Sequence, residues 1–91
     1  MEVYSEQQIK DRLSTLDGWV FDQDAIKKEW EFKDFAQAMV FINKIAEIAE
    51  RHDHHPELSN VYSRVTLRFN THVAGGITGK DFAIAAEIDT L

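Results

Sequence analysis

Residues 35–51 constrain this chain more than any other segment. Phe35, Met39, Ile42, Ala46 and Ala49 recur at helical spacing, and Ala38, Phe41, Ile45 and Ile48 form a second stripe beside them. Together the two stripes cover more than half of a helical circumference. A helix that lies on a sheet needs only one such stripe. The second has to meet another helix or another subunit, and we expect a mixture of both. Asp34-x-x-Gln37 opens the segment as a capping-box pattern. His52-Asp53-His54-His55-Pro56 ends it, because Pro56 disfavours helical backbone at His55.

The flanking segments change period. Ile26, Lys28, Trp30 and Phe32 alternate with Lys27, Glu29 and Glu31 after the turn cluster Asp22-Gln23-Asp24. With Trp19-Val20-Phe21 before it, this reads as a hairpin with one buried face, in which Lys28 is the poor fit. Residues 58–72 read as extended, with Val65, Leu67 and Phe69 on one face and Thr66, Arg68, Asn70 and His72 on the other. One strand of that length would be unusual, so we expect a hairpin turn at Ser63-Arg64. Tyr62 then pairs with Val65, Leu58 with Phe69, and His55 with His72. Ser5-x-x-Gln8 caps a first helix carrying Ile9, Leu13 and Leu16, stopped by Asp17-Gly18. Thr78-x-x-Asp81 caps a last one carrying Phe82, Ala85, Ile88 and Leu91. The order is αββαββα in a single domain over residues 1–91. The expected fold class is α+β, a four-stranded antiparallel sheet with helices packed on one face.

Composition excludes whole classes of function. The chain has 91 residues with 10 Lys plus Arg against 16 Asp plus Glu, a net charge of −6, which argues against a nucleic-acid surface. It has no cysteine, which removes disulfides, thiolate metal sites and a cysteine nucleophile. No apolar run approaches a membrane span, and the start, MEVYSEQQIKD, lacks the features of a secretory signal. A cytoplasmic protein is the expectation. A domain this small gains stability from oligomerisation.

All four histidines fall between positions 52 and 72. Imidazole exchanges protons near neutral pH, so their bunching points to acid–base chemistry. His52, at a helix end, is expected to contact the last carbonyls or solvent. His54, His55 and His72 are the candidates for a shared site. A metal site drawing on all four histidines with Asp53, Glu50 and Asp81 is the competing reading. Adjacent His54 and His55 fit it poorly, because neighbours in regular structure rarely point at one ion. The stretch Ala74-Gly75-Gly76-Ile77-Thr78-Gly79-Lys80-Asp81 is not a phosphate loop, since Ala and Asp stand where that motif needs Gly and Ser or Thr.

Glu50-x-x-x-His54-His55-Pro56-Glu57, then Asn60-Val61-Tyr62, Thr71-His72 and Gly76-Ile77-Thr78-x-x-Asp81, together resemble the pterin-4a-carbinolamine dehydratases. The motif spans roughly half the chain, and length and element order extend it to nearly all. One departure is Leu58, where the family commonly has Trp. The resemblance implies dehydration of a 4a-hydroxytetrahydropterin to a quinonoid dihydropterin, in tetrahydropterin recycling. It implies His55 and His72 as proton carriers, His54 binding the pterin and sharing that work, and Glu50 and Asp81 orienting imidazoles or substrate. It implies no cofactor and no metal, a small pterin as ligand, and a homodimer or homotetramer. The family also has non-catalytic members, dimerisation partners of a transcription factor and assembly factors for a carbon-fixing enzyme. A scaffold role is therefore the alternative.

Overall fold

The computed structural model describes residues 1–91. Helix α1 (Glu6–Leu13) is followed by strands β1 (Val20–Asp22) and β2 (Ala25–Glu31). Helix α2 (Phe35–His52), strands β3 (Glu57–Val61) and β4 (Arg64–Phe69), a 3-10 turn (His72–Ala74) and helix α3 (Gly79–Ile88) complete the chain. The sheet is antiparallel throughout, in the order β1-β2-β4-β3. This is the α+β architecture expected from the sequence. No helix is long and apolar enough to cross a membrane.

Local chemistry sets the element ends. Ser5 Oγ accepts from the Gln8 amide while Gln8 returns a side-chain bond to the Ser5 amide, so both halves of the first capping box form. Asp34 accepts from the Gln37 amide at 2.9 Å, but no reciprocal bond completes that box. Gln23 and Asp24 both have positive φ, the backbone that a two-residue hairpin turn requires.

Val65, Leu67 and Phe69 of β4 and Ile26 of β2 face the helices, and all are fully buried. Against them pack Ile9 of α1, Ala38, Phe41, Ile45, Ile48 and Ala49 of α2, and Ile84, Ala85 and Ile88 of α3. Lys27, Glu29, Thr66 and Arg68 occupy the other face of the sheet. The inward Lys28 is stabilised from afar. Its ammonium lies 3.0 Å from Asp89 Oδ1 and 5.1 Å from the Trp30 ring centre, and Trp19 Nε1 donates to the same oxygen at 2.9 Å.

Of the two α2 stripes, the core takes Ala38, Phe41, Ile45 and Ile48, with Ala49 from the other. Phe35 stays 48% exposed, Met39 and Ile42 are half-buried, and Ala46 is exposed.

The second hairpin departs from expectation. Val61 pairs with Arg64, so the turn is Tyr62-Ser63, Leu58 opposes Leu67, and Asn60 opposes Val65. Asn60 Nδ2 donates to the carbonyls of Arg64 and Tyr62, and Ser63 O accepts from the Phe32 amide at 2.8 Å. These bonds fix the turn one residue earlier than expected, which shifts each cross-strand pairing by two. An even slip keeps every side chain on its face, so the core of β4 is unchanged. Tyr62 leaves the core and stands 67% exposed. His55 and His72 are not ladder partners, because β4 ends at Phe69.

Helices α2 and α3 are clamped at one end. Arg51 bonds both carboxylate oxygens of Glu87, and His52 Nε2 lies 2.7 Å from Glu87 Oε1. Hydrogen bonds from Arg51 and then His52 hold the Glu87 carboxyl at about 2. A carboxyl with a depressed pKa contributes stability that is full above its unfolded value and is lost as pH falls toward the folded one. Thermal midpoints measured from pH 6 to pH 2 are therefore expected to fall less steeply below pH ~4.5 in Glu87→Gln than in the parent. Parallel curves would show that the clamp carries no stability.

Candidate active site

The α2 terminus aims two adjacent imidazoles in different directions. Asp53 takes left-handed backbone (φ 50°), and the His54 amide reaches back to the Ala49 carbonyl at 3.0 Å. This is the Schellman arrangement with Asp where Gly is usual. The chain then runs extended into Pro56, and successive side chains of an extended segment point to opposite sides. His54 turns inward and is buried, stacked on Phe69 with ring centres 5.7 Å apart. His55 turns outward and bonds Glu50, five residues back on the last turns of α2. That divergence explains why the doublet is no chelate. No three His, Asp or Glu side chains converge as a metal-ligand set.

Asp81 is fully buried at the start of α3. Its Oδ1 lies 2.6 Å from His54 Nε2, and its Oδ2 accepts from the Thr71 hydroxyl at 2.8 Å and the Thr78 amide at 2.9 Å. Thr78 Oγ1 bonds Thr71 Oγ1 at 2.9 Å. An ionised carboxylate is acceptor-only, so the His54 proton on Nε2 points at Asp81 and Nδ1 is left for a ligand. No buried side-chain polar atom lacks a partner.

His72 arrives by a different route from the one the sequence suggested. Thr71 pairs with Gly76 as an isolated bridge, and Gly75 closes the turn with φ 80°. A side chain at Gly75 would be strained in that backbone. The Thr71 hydroxyl pins the turn onto Asp81, and His72 is the next residue. His72 is exposed, and its ring makes no hydrogen bond. The other three histidines each hold a carboxylate: His52 on Glu87, His54 on Asp81 and His55 on Glu50.

His54, His55 and His72 line one cavity of about 360 Å³, together with Asp53, Asn70 and Lys80. A neighbouring cavity of about 220 Å³ shares His55, Asn70 and His72 and adds Arg68 and Glu57. The larger one is within the range of small-ligand clefts, ~300–1,000 Å³. Glu50 and Asp81 lie behind the imidazoles, one exposed and one buried. Leu58 is not among the residues lining either cavity. The sequence did not single out Asn70 or Lys80 as site residues, and it named Asp53 only as a ligand in the competing metal reading. The signal available for Asp53 was its place between a helix end and a proline, where left-handed backbone is common.

The family model for pterin 4 alpha carbinolamine dehydratase matches residues 2–91. The chain belongs to this family. Within it, the chain is 42% identical over 86 residues to a Sulfolobus acidocaldarius protein that carries a provisional pterin-4-alpha-carbinolamine dehydratase name, covering 94% of each. An Acidobacterium capsulatum protein with the same provisional name is 47% identical over 83 residues, 91% of this chain and 90% of that one. The crystal structure of a transcriptional coactivator/pterin dehydratase from Brucella melitensis matches with a TM-score of 0.90 at 36% identity. That match covers 98% of this chain and 97% of the other. A pterin dehydratase-like RuBisCO assembly factor of the alpha-carboxysome, TM-score 0.67 at 21% identity, shares the fold.

Proposed function

We propose that this chain dehydrates 4a-hydroxytetrahydropterins to quinonoid dihydropterins by histidine acid–base catalysis without a cofactor. One observation carries the reading. Three imidazoles from two separated stretches of backbone line one cavity, two of them on carboxylates and one free.

The reaction needs an acid and a base on either side of one bond system. The C4a–O bond breaks, the hydroxyl leaves as water with a proton from the acid, the N5–H proton goes to the base, and an N5=C4a double bond forms. His55 is suited to the acid role, because Glu50 balances the positive charge of its protonated ring. His72, whose ring bonds no carboxylate, is suited to take the N5 proton. His54, with its tautomer set by Asp81, hydrogen-bonds the pterin through Nδ1. Proton exchange with solvent then restores both rings. Such acid–base help is worth typically ~10²–10⁴-fold.

The uncovered stripe of α2, Phe35 with Met39 and Ile42, suits self-association into a dimer or tetramer, whose mass light scattering would read. It would equally suit a scaffold role, so the deciding test is kinetic. The purified chain is expected to accelerate water loss from a synthetic 4a-hydroxytetrahydropterin at least ~10²-fold over buffer. No acceleration would leave the scaffold reading in its place.

A further inference from the structure

Lys28 is an inward-facing cation on β2, and its surroundings fix it in place. Its stem crosses Gly18, where an added Cβ would lie 3.2 Å from Lys28 Cε, and its ammonium stands over the Trp30 ring. The side chain is only 16% exposed. An ammonium carries three donors, and Asp89 Oδ1 is the one protein acceptor it bonds, at 3.0 Å. The other two N–H groups have no protein partner.

Lys28 lines a cavity of about 360 Å³ between β2, α2 and the end of α3. That cavity shares no residue with those around the histidines. One wall is aromatic: Phe41 lies 4.8 Å from Trp30 and 4.9 Å from Phe32, centre to centre. Ile88 and Leu91 add hydrocarbon. Gln37, Val40 and Lys44 supply the α2 side, and their spacing returns them to one helix face. It lies opposite the uncovered stripe of Phe35, Met39 and Ile42. Lys44 belongs to no ion pair. With Lys28 balanced by Asp89, the cavity keeps one positive charge in excess, in a chain whose net charge is −6.

We infer that this cavity binds a small aromatic monocarboxylate, at a site separate from the histidines and independent of the dehydratase reading. The carboxylate accepts from the Lys28 ammonium and is balanced by Lys44, while the ring lies among Trp30, Phe32 and Phe41. Aromatic rings pack favourably against one another in offset or edge-on contact. One excess positive charge matches a monoanion. A phosphate dianion would be only half compensated among apolar walls, where unbalanced charge is costly. A neutral ligand would give the free Lys28 donors a weaker acceptor, because hydrogen bonds between charged groups are the stronger ones.

The test is isothermal titration calorimetry of the whole chain with 3-phenylpropionate and with 3-phenylpropanamide, its uncharged counterpart. The acid is expected to bind saturably, one per chain, and at least ~10-fold tighter than the amide, equivalent to about 1.4 kcal/mol. Lys28→Met combined with Asp89→Asn removes the ammonium without stranding a carboxylate, and the new amide oxygen still accepts from Trp19 Nε1. This double variant is expected to narrow the ratio to within ~3-fold. Val40 is exposed on the α2 wall, so Val40→Trp fills the cavity without disturbing the core and is expected to abolish binding of both compounds. His72→Ala is expected to leave the acid's affinity unchanged. Equal binding of acid and amide by the parent overturns the site, as does no binding of either. So does acid binding that keeps its preference in the double variant or its strength in Val40→Trp. A loss of acid binding in His72→Ala would place the ligand in the histidine cavity and overturn the site as well.

Discussion

Replacing His72 with alanine is expected to lower carbinolamine dehydration at least ~10²-fold while leaving stability within about 0.5 kcal/mol of the parent. The two halves of this expectation have separate origins. The His72 ring is exposed and bonds nothing in the protein, so its removal leaves no orphaned partner. The turn that carries it is held by its neighbours, Thr71 on Asp81 and Thr71 paired with Gly76. A thermal melt and a single-turnover rate, measured on the same preparation, check both halves. A near-normal rate would remove His72 from the mechanism. A large fall in melting temperature would mean that the ring has a packing role.

Asp81→Ala is expected to act in the opposite way, through stability first. It strands three buried donors at once: His54 Nε2, the Thr71 hydroxyl and the Thr78 amide. Each orphaned group costs ~1–3 kcal/mol, and breaking a buried pair by removing one partner typically costs ~3–5 kcal/mol. Against a total of ~5–15 kcal/mol for a domain, that is a large fraction. The midpoint should drop by at least ~12 °C, at ~4–8 °C per kcal/mol for a chain of this size. Asp81→Asn separates shape from charge. Its amide oxygen can still accept from Thr71 and Thr78, so the variant should fold. Its NH₂ would then face His54, making Nε2 the acceptor and moving the ring proton to Nδ1. Activity should fall while the melt stays closer to the parent. An Asp81→Ala protein that melts like the parent would show that the network carries little weight.

What could be read from the chain alone was whatever short-range chemistry decides. Ser5 with Gln8 and Thr78 with Asp81 both form complete capping boxes, because donor and acceptor are three residues apart. The alternation of Val65, Leu67 and Phe69 identified the inner face of β4. The second hairpin turn was misread because what fixes it is a set of side-chain and cross-strand bonds, Asn60 to two carbonyls and Phe32 to Ser63. Turn propensity does not report these. Lys28 looked misplaced because its partner, Asp89, is 61 residues away. The candidate site was partly legible. The bunching of histidines and the family pattern drew attention to positions 54, 55 and 72. The hairpin pairing invoked to bring His72 near was not the route taken; a pinned turn does that instead. Asp81 was legible as a cap, and only coordinates relate its second oxygen to His54.

That second oxygen ties the candidate site to the architecture. Asp81 Oδ2 begins α3 by accepting from Thr78, while Oδ1 holds the His54 ring. The carboxylate that caps the last helix therefore also orients a histidine of the candidate site. A folded form with α3 in place and His54 unanchored would leave a buried charge without its partner, so little of it should accumulate. Heat inactivation and loss of helix signal should then follow a single curve. Attempts to loosen this site for new substrates would do better at Asn70 and the exposed rim than at its buried floor.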